Sequence, residues 1–133
     1  MIFPSRTLTV SIDYPPDQVH DFISNPENLP KWAAGLCKSI IKTDAGWIVE
    51  TSQGATKIRF AERNDFGVLD HYVNPAPGVE VHVPMRVLPN GSGSEVIFTI
   101  LRSPEMSDEK FAEDIGLVER DLRTLKNLLE RNS

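Results

Sequence analysis

The segment from Ser107 to Arg131, SDEKFAEDIGLVERDLRTLKNLLER, is the longest unbroken periodic stretch in the chain, and it limits what the rest can fold into. Phe111, Ile115, Val118, Leu122, Leu125 and Leu129 recur at alternating spacings of four and three, which places them on one face of a 3.6-residue helix. Ser107 stands at the N-cap, Asp108 and Glu109 lie in the first turn and Arg131 in the last, so local charge agrees with the helix dipole. Glu119 and Arg123 are spaced to pair at i, i+4. At ~1.5 Å per residue the rod is about 36 Å long, enough to cross a small domain. A dimeric coiled coil needs three or four sustained heptads, which the segment barely reaches, so packing against the same chain is expected. Ala112 and Gly116 lie beside the stripe, where an interior Gly costs about 1 kcal/mol against Ala. Either a strand packs closely there or the space is left for a ligand.

With 133 residues the chain is expected to be one domain, residues 1–133, large enough to bury a real core. A monomer or simple homo-oligomer fits. The formal net charge of -5 and the lack of any basic run argue against nucleic acid as a partner. Cys37 is the only cysteine, which excludes an intramolecular disulfide and a thiolate metal cluster. His20, His71 and His82 share no metal-ligand spacing, so neither metal nor cofactor is expected, and His20 is placed on the exposed side of a short helix. No signal-like N-terminus and no apolar run near ~18 residues appears, which predicts a cytoplasmic protein without membrane insertion.

Arg6 to Asp13 alternates Leu8, Val10 and Ile12 with Thr7, Thr9 and Ser11, the period-2 pattern of a half-buried strand. Pro16 and Asp17 then open a short helix, with Val19, Phe22 and Ile23 inward. Asn25-Pro26 stops it, and Glu27 to Ala33 forms another turn or two leading to Trp32. Six further strands are expected at 36–42, 46–52, 55–62, 68–73, 79–88 and 94–102, separated by turn signals such as Gln53-Gly54 and Pro89-Asn90-Gly91. Short connections mean antiparallel neighbours. The economical architecture is α+β: one curved seven-stranded antiparallel sheet wrapped around the C-terminal helix, with two short helices after the first strand closing one end.

The order of elements, the opening VSIDYPPDQVHDFISNPENLPKW and the terminal amphipathic helix resemble the START-like superfamily, also called SRPBCC, whose members share the helix-grip fold of the birch pollen allergen. The segment GSEVIFTILRSPEMSDEKFAEDIGLVERDLRTLKNLLE is similar to small bacterial members labelled polyketide cyclase-like or uncharacterised. The resemblance covers essentially the whole chain and is specific for fold rather than function. Related sequences often carry Ser before the helical Pro, where this chain has Pro15, which cannot cap with a side-chain oxygen.

That resemblance implies a cavity between sheet and long helix, and strand parity says which side chains face it. In VEVHVPMRVL the apolar set Val79, Val81, Val83, Met85 and Val87 points in, leaving His82 and Arg86 outside. In VLDHYV both faces are mixed. If Leu69 and Val73 point inward, His71 is a pocket histidine and the best acid-base candidate, while Asp70 pairs outward with Arg59 or Arg86. Trp32 and Trp47 are candidate walls for an apolar or aromatic ligand, Trp32 at the rim. The candidate site thus comprises Trp32, Trp47, Leu69, His71, Val73, Val83, Met85, Ala112 and Gly116, with His71 and Asp70 the only catalytic candidates.

Three functions compete. The leading one is a binding protein for a hydrophobic small molecule: a lipid, a polyketide-like compound or an aromatic metabolite. The second is an enzyme of cyclase or dehydratase type, whose mark would be two titratable groups converging in the pocket. A protein-interaction module, the third, would show a contiguous apolar patch outside the cavity.

Overall fold

The structure is a computed structural model and describes residues 1–35, 37–52 and 54–131. Strand β1 (Ser5–Ile12) leads into helix α1 (Pro16–Ser24), a 3-10 turn (Pro26–Asn28) and the single-turn helix α2 (Leu29–Trp32). Strands β2 (Ser39–Thr43), β3 (Gly46–Thr51), β4 (Gly54–Phe60), β5 (His71–Ala76), β6 (Val79–Val83), β7 (Met85–Asn90) and β8 (Gly93–Leu101) follow, and helix α3 (Asp108–Arg131) ends the described chain. Leu36, the expected first residue of one strand, and Gln53 of the expected Gln53-Gly54 turn lie outside the described residues.

The expected caps form where local chemistry supplies them. Ser107 Oγ accepts from the Lys110 N–H at 3.0 Å, and Pro15 stands before α1 without a side-chain bond, with Pro16 in the first turn. The ion pairs along α3 are Lys110–Asp114 at 3.1 Å, Lys110–Glu113 at 3.8 Å and Lys126–Glu130 at 2.8 Å rather than the expected Glu119–Arg123.

The strands form two antiparallel sheets, β1-β8-β7 and β2-β3-β4-β5-β6, not the single seven-stranded sheet expected. Pro84 is the cause. It splits the expected strand 79–88 into β6, which pairs with β5, and β7, which pairs with β8. Proline has no N–H to give a ladder, so pairing breaks there. The facing strand breaks too: β5 begins at His71, while Val68 bridges Arg86 on the outer edge of β7. His71 stands opposite Val83 and Val68 opposite Arg86 in one register, which sets Asp70 across from Pro84 at the corner between the sheets. Gly67 begins this crossing with φ +73, and a Cβ there would run into the Val87 carbonyl oxygen.

The core lies between the concave face of the sheets and α3. Leu8, Ile12, Met85, Val87, Val96 and Phe98 from the three-stranded sheet and Val49 and Ile58 from the other are buried, as are Val118, Leu122, Leu125 and Leu129 of α3. Each such side chain contributes about 1.5–3 kcal/mol of transfer free energy. Val19, Ile23, Leu29 and Trp32 of the short helices complete the core. The C-terminal end of α3 is tied to the β1–α1 corner, where Lys126 Nζ donates to the Ser11 carbonyl at 2.7 Å and Glu130 Oε2 accepts from the Asp13 N–H at 2.9 Å.

The inward set of the 79–88 segment is graded. Met85 and Val87 are buried, Val81 and Val83 half-buried, and Val79 exposed at 46 %. Past the corner, β6 is an edge strand, so its outer end has no neighbour to cover it.

His20 departs from expectation. It is buried, not solvent-facing, and its Nε2–H donates to the Val68 carbonyl at 3.1 Å. The segment from Asn64 to Val68 covers that side of α1, a tertiary event that helix periodicity does not encode.

Candidate ligand-binding site

His71 opens β5, opposite Phe60 of β4 and Val83 of β6. Side chains directly opposite share a sheet face, so His71 belongs to the concave row with those apolar residues. Its ring stacks on Phe60 at 4.8 Å and meets Phe98 edge-on at 6.0 Å. Nδ1 lies 3.2 Å from the Leu69 carbonyl. A carbonyl only accepts, so Nδ1 carries the hydrogen and Nε2 holds the free lone pair. Burial pushes the His71 pKa down to about 4, against the raising effect of the Leu69 bond and the Asp70 charge. At neutral pH the ring is an uncharged acceptor in an aromatic slot.

Leu69 and Met85 are buried beneath it, and Val73 follows it, half-buried, on the same face. The parity left open for VLDHYV is thereby settled: Leu69, His71 and Val73 point inward. Trp47, opposite the buried Ile58, lies further along the concave face and is half-buried, with Lys42 Nζ 5.7 Å from its ring centre. Phe60, Val83, Ile100 and Ile115 also pack against the core while keeping part of their surface uncovered.

The other titratable groups of this region face outward. Asp70 Oδ2 accepts from His82 Nε2 at 2.8 Å and Oδ1 from the Met85 N–H at 2.9 Å, so neither expected arginine is its partner. Arg59 instead pairs with Glu80 and lies over Tyr72, and Arg86 donates to the Phe66 carbonyl. Partial burial works to raise the Asp70 pKa, but the Met85 and His82 bonds and the His82 and His71 charges together bring it below the ordinary value. Tyr72 and His82 stack at 4.8 Å on the same outer face. Asp70 and His71 are sequence neighbours whose side chains the strand sends to opposite sides.

Other candidates disperse. Trp32 is buried at 2 % exposure rather than standing at a rim, and its Nε1–H finds no acceptor among the described residues. Ala112 and Gly116 are exposed, and a Cβ on Gly116 would meet nothing within 4 Å, which removes close packing as the reason for glycine. Two cavities on the outside, of about 330 Å³ beside α1 and about 570 Å³ over β3 to β5, include no residue of α3. Among the described residues no group of His, Cys, Asp and Glu is arranged to hold a metal ion. No helix is long and apolar enough to cross a membrane.

Asp121 is a residue that sequence reasoning missed. It is buried on α3, and its Oδ1 accepts from the Gly35 N–H at 3.2 Å. Burial raises its pKa to about 6, against the lowering effects of that bond and of Arg120. Burial and then the Asp121 charge also push the Cys37 thiol up. The signal was available: Asp121 falls three residues after Val118 and beside Leu122, on the edge of the apolar stripe.

No protein-family model matches the chain and no curated protein matches it. Solved structures do. XoxI from Bacillus cereus is 22% identical with a TM-score of 0.75, covering 97% of this chain and 96% of its own. A START superfamily protein from Mycobacterium smegmatis is 12% identical with a TM-score of 0.70, covering 97% and 99%. The chain has a START-like fold. DynU16, from the dynemicin biosynthetic locus, matches at 17% identity and a TM-score of 0.71 over 97% of this chain and 48% of its own. At these identities the START-like likeness concerns fold, and function rests on the side chains.

Proposed function

We propose that this single START-like domain binds a hydrophobic small molecule, a lipid or a polyketide-like or aromatic metabolite, between the concave sheet face and α3, without covalent chemistry. The observation that carries the reading is the isolation of His71. Among the described residues it is the one titratable group of the aromatic slot formed with Phe60 and Phe98, while Asp70, Tyr72 and His82 lie on the outer face. Acid-base catalysis asks for a second converging group and a pKa near the working pH, whereas burial holds His71 near 4. A neutral imidazole with a free Nε2 is suited instead to accepting one hydrogen bond from a ligand hydroxyl in an otherwise apolar site.

Native mass spectrometry of freshly purified protein tests this directly. A co-purifying apolar molecule that raises the melting temperature when added back supports the reading; at a hundredfold excess over its dissociation constant the gain is about 2.7 kcal/mol. Turnover of such a molecule that His71→Phe reduces a hundredfold with unchanged affinity would establish the cyclase or dehydratase reading instead.

A further inference from the structure

The charge of the concave face differs from that of the chain. The protein carries 19 acidic against 14 basic residues, yet the three carboxylates within its strands all point outward. Glu95 bonds Ser11 Oγ, Glu80 pairs with Arg59, and Glu50 stands opposite Ser39 and Ala55, out of phase with the buried Val49. The strand cations are divided. Lys57, Arg59 and Arg86 lie on the outer face, opposite Asn74, Tyr72 and Ile97, whereas Arg6 and Lys42 lie on the inner one. Arg6 is in phase with Leu8 and Ile12 and stands opposite Ile100; Lys42 is in phase with Ile40 and stands opposite Trp47.

These two cations share one end of the grip. β1 runs from Arg6 toward α1 and β2 runs from α2 toward Lys42, so both lie at the strand ends remote from the short helices. That end is also where β8 stops, Leu101 opposite Ser5, and α3 begins. There the inward residues are incompletely covered: Trp47, Ile100, Phe111 and Ile115 are half-buried. Arg6 and Lys42 are exposed, and neither makes an ion pair among the described residues. Of the acids on the first turns of α3, Asp108, Glu113 and Asp114 are engaged by Arg102 and Lys110, while Glu109 is exposed and makes no ion pair among the described residues.

We infer that the ligand is an apolar carboxylic acid, its body between sheet and α3 and its carboxylate at the open end between Arg6 and Lys42. This rests on the proposed binding function and narrows its ligand class. An apolar wall with two cations at its mouth that make no ion pair among the described residues, and with no strand carboxylate on its inner face, gives an anionic head group charge-assisted hydrogen bonds while the tail leaves water.

Decanoate, decanol and decylamine, titrated into the full chain by calorimetry and amide NMR, provide the test. Decanoate should bind about tenfold or more tightly than decanol, decylamine more weakly than either, and the decanoate preference should shrink with added salt. In Arg6→Gln/Lys42→Gln the ratio of decanoate to decanol affinity should fall toward one. The outer-face pair Lys57→Gln/Arg59→Gln, which changes net charge equally, should keep it. Decanol binding as tightly as decanoate, or a preference that survives Arg6→Gln/Lys42→Gln, would overturn the head-group assignment and leave the apolar site standing. If none of the three perturbs β5 or α3 resonances, both this inference and the binding function beneath it fail for chain-like ligands.

Discussion

The Met85 N–H donates to Asp70 Oδ1 at 2.9 Å across the corner where the chain passes from one sheet to the other. Pro84 precedes Met85 and breaks the ladder, so the first amide after the break is served by a side chain of the facing strand. The other oxygen holds His82. Asp70, a catalytic candidate from sequence, acts here as a clamp between the sheets.

Asp70→Ala should therefore destabilise the fold by about 1–3 kcal/mol, the cost of leaving a part-buried N–H without an acceptor. Asp70→Asn, which keeps an oxygen for Met85, should lose less. Urea denaturation of the two variants checks the order. Because the folded pKa of Asp70 lies below its ordinary value, its contribution is present above the unfolded pKa and is lost as pH falls through the folded one.

Asp121→Asn should stabilise the protein at neutral pH. The folded pKa is raised to about 6 from 3.8, so the stability contributed by the neutral, protonated carboxyl is complete below 3.8 and is lost as pH rises through 6. The gap between the two values caps the gain at ~3 kcal/mol above pH 6. Asn still offers an oxygen to Gly35. Denaturation midpoints at pH 7.5 and pH 4.5 should show the variant's advantage shrinking at the lower pH; an advantage unchanged with pH would mean that the carboxylate is not held against its charge.

His71 should stay neutral well below pH 6, with an imidazole NMR titration midpoint near 4. Since the unfolded ring protonates near 6.5 and the folded ring does not, stability attributable to His71 is lost as pH falls from 6.5 toward 4. His71→Phe should flatten that part of the stability profile. A midpoint near 6.5 would show the ring open to water and remove the case against acid-base chemistry.

Gly116→Ala should raise stability by about 1 kcal/mol, because Ala is the better helix former and its Cβ meets nothing within 4 Å. Thermal denaturation reads this directly. A destabilised variant would reveal a contact made at that face.

Much of the fold was legible in the sequence because it is written in near neighbours. The four-and-three spacing of Val118, Leu122, Leu125 and Leu129 fixes a helix and its buried face, and Ser107 fixes its start. Alternation in β1 sets Leu8 and Ile12 inward by the geometry of an extended chain. Pro84 could have been read as a break, since its missing N–H is a property of the residue itself, yet the valines on either side carry one unbroken period across it. What local pattern does not hold is which remote segment covers a given side chain. His20 is buried because the stretch ending at Val68 folds over α1, and Trp32 because α2 packs against the rest of the core. Asp121 is enclosed where the loop after α2 meets α3, with Gly35, 86 residues away, supplying its hydrogen bond. The mixed strand around His71 could be oriented only by its partners, for Phe60 and Val83 place the ring inside while Pro84 and Met85 draw Asp70 to the corner. Periodicity is decided by residues two to four apart, whereas burial and ionisation are decided by contacts that form only when distant segments meet.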